Sequence, residues 1–319
     1  MSQLPPGYTL RAASLDDAQA FTDLVVACDI ADDGVSNMVL SDVLDMWSGL
    51  DVPNDVSLVV NDQGTVVGSV EMEWKMPNTP ILIDGYVHPE HSGQGIGRAL
   101  LAHAEQKASA WAAAKGLSEF RIRSNTSGKN QQSSELFALC GYQPVRYFYR
   151  MVRSLDEPIA APVFPEGITV RPVIKGQDER AYYDTLGESF ADHWEYNLEP
   201  FEHWVEHRLP VTGYLPEVCL LAFDGDQAAA MLLGYRQGDG SGWVRNLGVR
   251  RPWRKRGLGF ALLQQAFRAF QDHGCPSVGL GVDAESPTGA TRLYERAGMQ
   301  IEAKYVTHDK LVHVHNEVL

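Results

Sequence analysis

The stretch Val244-Arg245-Asn246-Leu247-Gly248-Val249-Arg250-Arg251-Pro252-Trp253-Arg254-Lys255-Arg256-Gly257-Leu258-Gly259 decides how the chain is read. A strand over Trp243 to Val249 feeds a Gly-x-Gly turn. A helix over Phe260 to Asp272 follows, with apolar residues at 262, 263, 266, 267 and 270 and Gly274 as its stop. Glycines let a backbone come close to a ligand, and the first N–H groups of a helix favour an anion. Five of the seven residues from 250 to 256 are Arg or Lys. That concentration of positive charge suits a polyphosphate, although a solvated basic turn would carry the same residues. The turn is not the dinucleotide G-x-G-x-x-G, because Leu262 stands at the third glycine position. It is not a Walker loop either, since no Gly-Lys-Ser/Thr follows.

The same turn occurs twice. Gly95-Ile96-Gly97 with Ala99-Leu100-Leu101 returns as Gly257-Leu258-Gly259 with Ala261-Leu262-Leu263, an offset of 162. Gly7-Tyr8-Thr9-Leu10-Arg11 returns as Gly167-Ile168-Thr169-Val170-Arg171 at 160, and Phe137 to Tyr142 lines up with Tyr294 to Met299 at 157. Three matches in one order at nearly constant offset indicate a tandem duplication. Three prolines between residues 158 and 165 favour an extended linker. The expected division is therefore residues 1–155, a linker at 156–166, and residues 167–319. In the second copy Val218 to Phe223 and Ala229 to Tyr235 read as a hairpin around Asp224-Gly225-Asp226. Ser277 to Val282 reads as a strand, and Thr288 to Ala297 as a helix closed by Gly298. A hairpin leading into β–α–β implies an α/β (α+β) domain with a mixed, mostly antiparallel sheet flanked by helices.

Composition narrows the function. The 319 residues are 44% hydrophobic and 21% charged, enough apolar material for two cores and too little charge for a disordered chain. With 27 basic and 41 acidic side chains the net charge is −14, and the halves split at residue 155 each carry −7. Such a surface repels nucleic-acid backbones. No apolar run reaches a membrane span, and the first residues lack the features of a signal peptide. Cys28, Cys140, Cys219 and Cys275 are scattered, which suits reduced, buried thiols in the cytoplasm. His308, His313 and His315 alternate at strand spacing without a further aligned ligand, so they read as surface histidines and no metal is expected.

Arg254-x-x-Gly257-x-Gly259 between a strand and a helix resembles the acyl-CoA pyrophosphate motif of the GNAT acetyltransferase superfamily. Val282-Asp283-Ala284-Glu285-Ser286-Pro287-Thr288-Gly289-Ala290 with Leu293-Tyr294-Glu295-Arg296-Ala297-Gly298-Met299 is similar to that family's N-x-x-A-x-x-L-Y-E-x-x-G-F segment, with Ser286 and Met299 replacing its Asn and Phe. Tandem copies of this length resemble mycothiol synthase and related actinobacterial enzymes. Trp243, two residues before the strand bulge this likeness implies, stands where those enzymes tend to place an acidic residue. The resemblance implies an acetyl-CoA-dependent N-acetyltransferase working through a ternary complex. Leu247, Gly248 and Val249 would offer main-chain groups to the pantetheine arm. Arg254, Lys255, Arg256, Gly257, Leu258, Gly259 and Phe260 would cradle the pyrophosphate, with Ser286 nearby. Tyr294 would be the general acid that protonates the departing thiolate, although a tyrosine there could equally be a packed helix residue.

The copies differ at these positions. The first turn, His88 to Arg98, keeps its glycines, but Ser92 replaces the leading Arg and Phe137 stands where Tyr294 does. Residues Ser124 to Gln132 read as a polar loop. The first copy is expected to be catalytically silent, with Val87, Gly95, Gly97 and Arg98 as its remaining CoA-binding candidates. The segment Glu188 to His207 holds six carboxylates, three histidines and no Lys or Arg, with Trp194, Tyr196 and Trp204 interleaved. It is either a solvated helix face or the wall of a pocket for a cationic amine. Asp192, Trp194, Asp283 and Glu285 are acceptor-site candidates, and His193 or Glu195 would be the base, with Asp283 and Glu285 competing. The partner is a small-molecule amine, with a peptide N-terminus or a non-catalytic CoA-binding role as alternatives. The assembly expected is a monomer or a homodimer.

Overall fold

A computed structural model of the chain describes residues 4–36, 38–74, 79–207 and 214–314. The first part runs β1 (Tyr8–Ala12), α1 (Ala18–Asp33), α2 (Leu40–Trp47), α3 (Val52–Asp55), β2 (Val56–Asn61), β3 (Val66–Glu73), β4 (Ile81–Val87), α4 (Ile96–Ala114), β5 (Glu119–Ser127), α5 (Gln131–Leu139) and β6 (Gln143–Ser154). The second repeats it as β7 (Ile168–Pro172), α6 (Glu179–Phe190), α7 (Phe201–His207), β8 (Tyr214–Asp224), β9 (Gln227–Arg236), β10 (Gly242–Val249), α8 (Leu258–Asp272), β11 (Ser277–Asp283), α9 (Ala290–Arg296) and β12 (Gln300–His313).

The chain forms two compact units, and their boundaries differ from the expected ones. Residues 1–147 with 303–319 make one, and residues 148–302 make the other. The physical reason is strand exchange. β6, the last strand of the first copy, pairs antiparallel with β11 from Ser154↔Ser277 to Phe148↔Asp283. β12, the last strand of the second copy, pairs antiparallel with β5 from Tyr305↔Ser127 to His313↔Glu119. The strand order is β1-β2-β3-β4-β5-β12 in the first unit and β6-β11-β10-β9-β8-β7 in the second. The proline-rich segment 156–166 is extended, as its composition predicts, but it is packed rather than free. Ile159 is buried in the second unit's core, and α8 binds the segment through Arg268 to the Ile159 carbonyl (3.0 Å) and Gln271 to the Glu157 carbonyl (2.9 Å).

Each sheet is covered on both faces, so its central strands read as continuous apolar runs. In the second unit Leu262, Phe267 and Phe270 of α8 pack on one face. Tyr182 and Trp204, stacked at 5.4 Å on α6 and α7, close the other with Cys219, Leu221 and Met231. The first unit repeats the pattern, with α4 over Val70 and Met72 and with α1 and α2 over Leu58. Removing one such phenylalanine costs about 3–5 kcal/mol. The four cysteines are free thiols, Cys219 and Cys275 buried and the other two half-buried. Among the described residues no helix is long and apolar enough to cross a membrane.

Candidate active site

In the second unit two parallel strands part company. β10 and β11 pair only at Gly242↔Val278, Trp243↔Gly279 and Val244↔Leu280. Beyond that point β10 stays with β9 as far as Val249↔Ala230, while β11 stays with β6 as far as Asp283↔Phe148. A cavity of about 210 Å3 lies at the parting. Phe190 at the end of α6 and His193 and Trp194 after it wall the cavity, with Leu247 from β10, Asp283 at the end of β11, Ser286 just beyond it, and Tyr294 from α9. Phe148 of β6 also lines it. No local signal in the sequence points to Phe148, because it arrives on the exchanged strand.

The turn above the cavity is shaped to accept an anion with its main chain. Lys255 (φ 63°) and Gly257 (φ 88°) both take the left-handed conformation, and Gly257 caps α8. The first intrahelical bond runs from the Ala261 N–H to the Gly257 carbonyl (3.0 Å), which leaves the N–H groups of Leu258, Gly259 and Phe260 without helical acceptors. Leu258 itself is buried in the core and the Phe260 ring lies under the Arg296 guanidinium at 5.1 Å, so both residues have only main chain to offer. Gly248 brings β10 close to α6, where a Cβ would sit 2.7 Å from that of Ser189.

The basic cluster is arranged differently from the expectation. Arg254 donates to the carbonyls of Val249 (3.0 Å) and Ser189 (3.0 Å) and to Asp192 (3.1 Å), which ties the turn to α6 and the following loop. Its guanidinium is thus a structural brace, whereas Lys255 and Arg256 are exposed at the rim. Arg251 also pairs with Asp192, and Arg250 with Glu188 (2.6 Å). Asp192 is therefore neutralised by arginines and lies outside the cavity wall. The Arg251 and Arg254 guanidinium groups also hold its carboxyl below the usual range. Glu195 and Glu285 are exposed and do not line the cavity either, and the Glu285 N–H donates to Asp283 (2.9 Å).

Three groups with proton chemistry remain in the wall. Tyr294 is buried, and burial pushes its phenol up to about 12, so the hydroxyl keeps its proton at neutral pH. His193 is half-buried beside the Phe190 ring at 4.4 Å, and burial lowers its pKa, although the charge of Asp283 opposes this. Asp283 is buried at the end of β11. Trp243 lies against Gly279 and under the Arg150 guanidinium at 5.3 Å.

The first unit repeats the frame with different side chains. β4 and β5 pair in parallel only at Ile81↔Ile122 and Leu82↔Arg123, and Gly95 (φ 90°) caps α4. The Val87 carbonyl accepts from the Cys28 thiol (3.3 Å), and Arg98 is exposed. Gly97 sits in the first turn of α4. Ser124 to Ser127 lies in β5 and Gln131 starts α5, so only residues 128–130 form the loop expected over 124–132. Ser124 and Thr126 are buried against β12. His308, expected at the surface, is buried: its ring stacks on Phe137 at 5.0 Å and its Nε2 meets the Thr126 hydroxyl at 3.1 Å. His313 pairs with Glu119 (3.4 Å), and His315 lies outside the described residues.

Parted strands, a helix start with free main-chain N–H groups and a protonated phenol at the cavity fit an acyltransferase. Residues 20–142 and 180–299 match the family described as Acetyltransferase (GNAT) family, and the chain belongs to that family as a tandem member. It is 31% identical to a mycothiol acetyltransferase of Streptomyces coelicolor over 79% of this chain and 76% of the relative. It is 32% identical to one of Streptomyces scabiei over 73% and 72%. A GCN5-related N-acetyltransferase from Sphaerobacter thermophilus is 34% identical, with a TM-score of 0.86 over 98% of both chains. A tandem GNAT protein from the clavulanic acid biosynthesis pathway shares the fold at 15% identity, with a TM-score of 0.72 over 95% of this chain and 98% of that one.

Proposed function

We propose that this acetyltransferase takes acetyl-CoA as donor and passes the acetyl group to a primary amine of a small molecule, with the second unit doing the chemistry. The observation that carries this reading is the protonated Tyr294 hydroxyl in the same cavity where β10 and β11 part. Acetyl-CoA supplies an activated thioester. The main chain of Leu247, Gly248 and Val249 would hold its pantetheine arm, and the N–H groups from Lys255 to Phe260 its pyrophosphate. The amine attacks the acetyl carbon, the N–C bond forms and the C–S bond breaks. The sulfur leaves with the proton of Tyr294. His193, neutral because burial lowers its pKa, takes the proton that the amine loses. Holding both substrates together supplies proximity, so the reading needs no covalent enzyme intermediate. The small cavity favours a small acceptor over a peptide, and the acidic, thiol-bearing chain suits a cytoplasmic enzyme.

Acetyl-CoA bound per chain, counted by native mass spectrometry, and thiol release in a screen of amines test this reading. One acetyl-CoA per chain, with amine-dependent thiol release, is expected. Two bound would return Val87, Gly95, Gly97 and Arg98 to a cofactor role. None bound would overturn the reading.

A further inference from the structure

β10 is interrupted at a single residue. Its pairing with β9 runs through Trp243↔Tyr235 and Val244↔Gly234, then resumes at Asn246↔Leu233, which leaves Arg245 as the extra residue of a β-bulge. The parallel pairing with β11 ends at Val244, so the bulge falls where the strands part. Bulges re-aim a side chain at such places. Arg245 forms part of the cavity wall with Asp283 and Tyr294, and its charge is felt at the buried Tyr182 hydroxyl, which has no hydrogen-bond partner.

The arginines of the turn all lie within 4 Å of a carboxylate. Arg250 has Glu188, Arg251 and Arg254 share Asp192, and Arg256 lies 3.8 Å from Asp224. Among the described residues the Arg245 side chain has no hydrogen bond and no ion pair, and it is exposed on the cavity side of the bulge. Of the carboxylates expected to attract a cationic acceptor, Asp192 is taken by arginines and Glu285 lies outside the wall, so Asp283 alone shares the cavity with an Arg245 guanidinium that no carboxylate pairs. A guanidinium is a planar fork of donors that matches a carboxylate or phosphate with two parallel bonds.

We propose that Arg245 determines acceptor specificity by binding an oxyanion on the acceptor, which makes the substrate an amine that also bears a carboxylate or a phosphate. This rests on the reading of the cavity as the transfer site.

The test uses the full chain and matched acceptors: L-alanine against L-alaninamide, 4-aminobutyrate against butylamine, and phosphoethanolamine against ethanolamine. A charge-assisted hydrogen-bonded pair predicts kcat/KM about 10–100-fold higher for the anionic member of at least one pair. Arg245→Gln should bring that ratio to about one, and Arg245→Glu should reverse it. Acetyl-CoA affinity within about twofold of the wild type reports that the variants are folded. The pair that responds tells carboxylate from phosphate. Equal rates within every pair, or a preference that survives Arg245→Gln, overturns the proposal. If no amine is acetylated, calorimetric binding of the same pairs to the CoA-loaded protein decides. Tighter binding of an anionic member that Arg245→Gln abolishes keeps the inference while the transferase reading falls. Indifferent binding, or none, ends the inference as well.

Discussion

The two glycine turns share a backbone and differ in what surrounds it. Gly95 and Gly257 adopt nearly the same left-handed φ, 90° and 88°, and each opens a helix above a pair of parting parallel strands. Around the second turn three of the five cationic side chains meet carboxylates of α6 and its loop, and a protonated phenol faces the cavity. Around the first, the Val87 carbonyl is taken by Cys28, and Phe137 is covered by His308. The carboxyls there lie on the strands themselves: Glu71 on β3 stands directly across from Asp84 on β4. Duplication thus kept the frame that positions a main-chain anion site and let the side chains diverge. Frame and chemistry are separable.

The largest test of this comparison concerns the frame. A chain ended after Glu302 loses β12, and with it the pairing along the whole of β5 and the bidentate Arg123–Asp309 contact (2.6 Å for both bonds). The first unit should then lose its cooperative transition in calorimetry, and residues 1–155 alone should fail to fold. A stable, monomeric 1–155 fragment would show that strand exchange is dispensable.

Chemistry is tested by Tyr294→Phe. General acid catalysis contributes about 10²–10⁴-fold, so kcat should fall by that much with acetyl-CoA affinity retained. Adding Phe137→Tyr to that variant should recover nothing, because the His308 ring already lies face-on against position 137. Recovery would reduce the difference between the copies to one hydroxyl group.

The duplication, the α/β class and the cavity-lining Tyr294, His193, Trp194 and Asp283 were legible in the residues, because each rests on local spacing or on a motif. The exchange of last strands was not. β6 and β12 are similar strands, and nothing in their alternation says which β5-like edge each will join. His308 reads as a surface residue for the same reason: its burial comes from a helix nearly 170 residues earlier in the chain. Arg245 is hidden by its neighbours, one more arginine before a run of them, until the bulge separates it. The pairing of Asp192 is equally hidden, because in the sequence an acidic segment and a basic turn look like two sites, whereas they pair with each other.

Glu71 offers a third contrast, of about 3 kcal/mol. Burial, then the charge of Asp84, pushes its carboxyl from 4.5 up to about 7, and Trp47 donates to it (2.6 Å). The folded chain keeps a proton that the unfolded chain releases, so stability falls as pH rises between about 4.5 and 7 and the full cost is present above that. Glu71→Gln keeps the acceptor for Trp47 and removes the titration. It should stabilise the first unit's transition by about 3 kcal/mol at pH 8 and leave it unchanged at pH 4. The second unit's transition should not move. An equal gain at both pH values would mean that packing, not charge, is at work.

The smallest expected effect is a displacement along the pH axis, and it separates the two proton-transfer roles in the second unit. With Tyr294 at about 12, the acid stays protonated throughout the working range, so kcat/KM should show no alkaline limb from it below about pH 11. His193 must be neutral to accept a proton. Burial lowers its pKa from 6.5, so the acid limb should fall below that value rather than above it. His193→Gln should remove the limb and lower the plateau. A limb that persists in this variant would pass the base role to Asp283, the other carboxyl or imidazole in the wall, whose own variant Asp283→Asn would then have to abolish it.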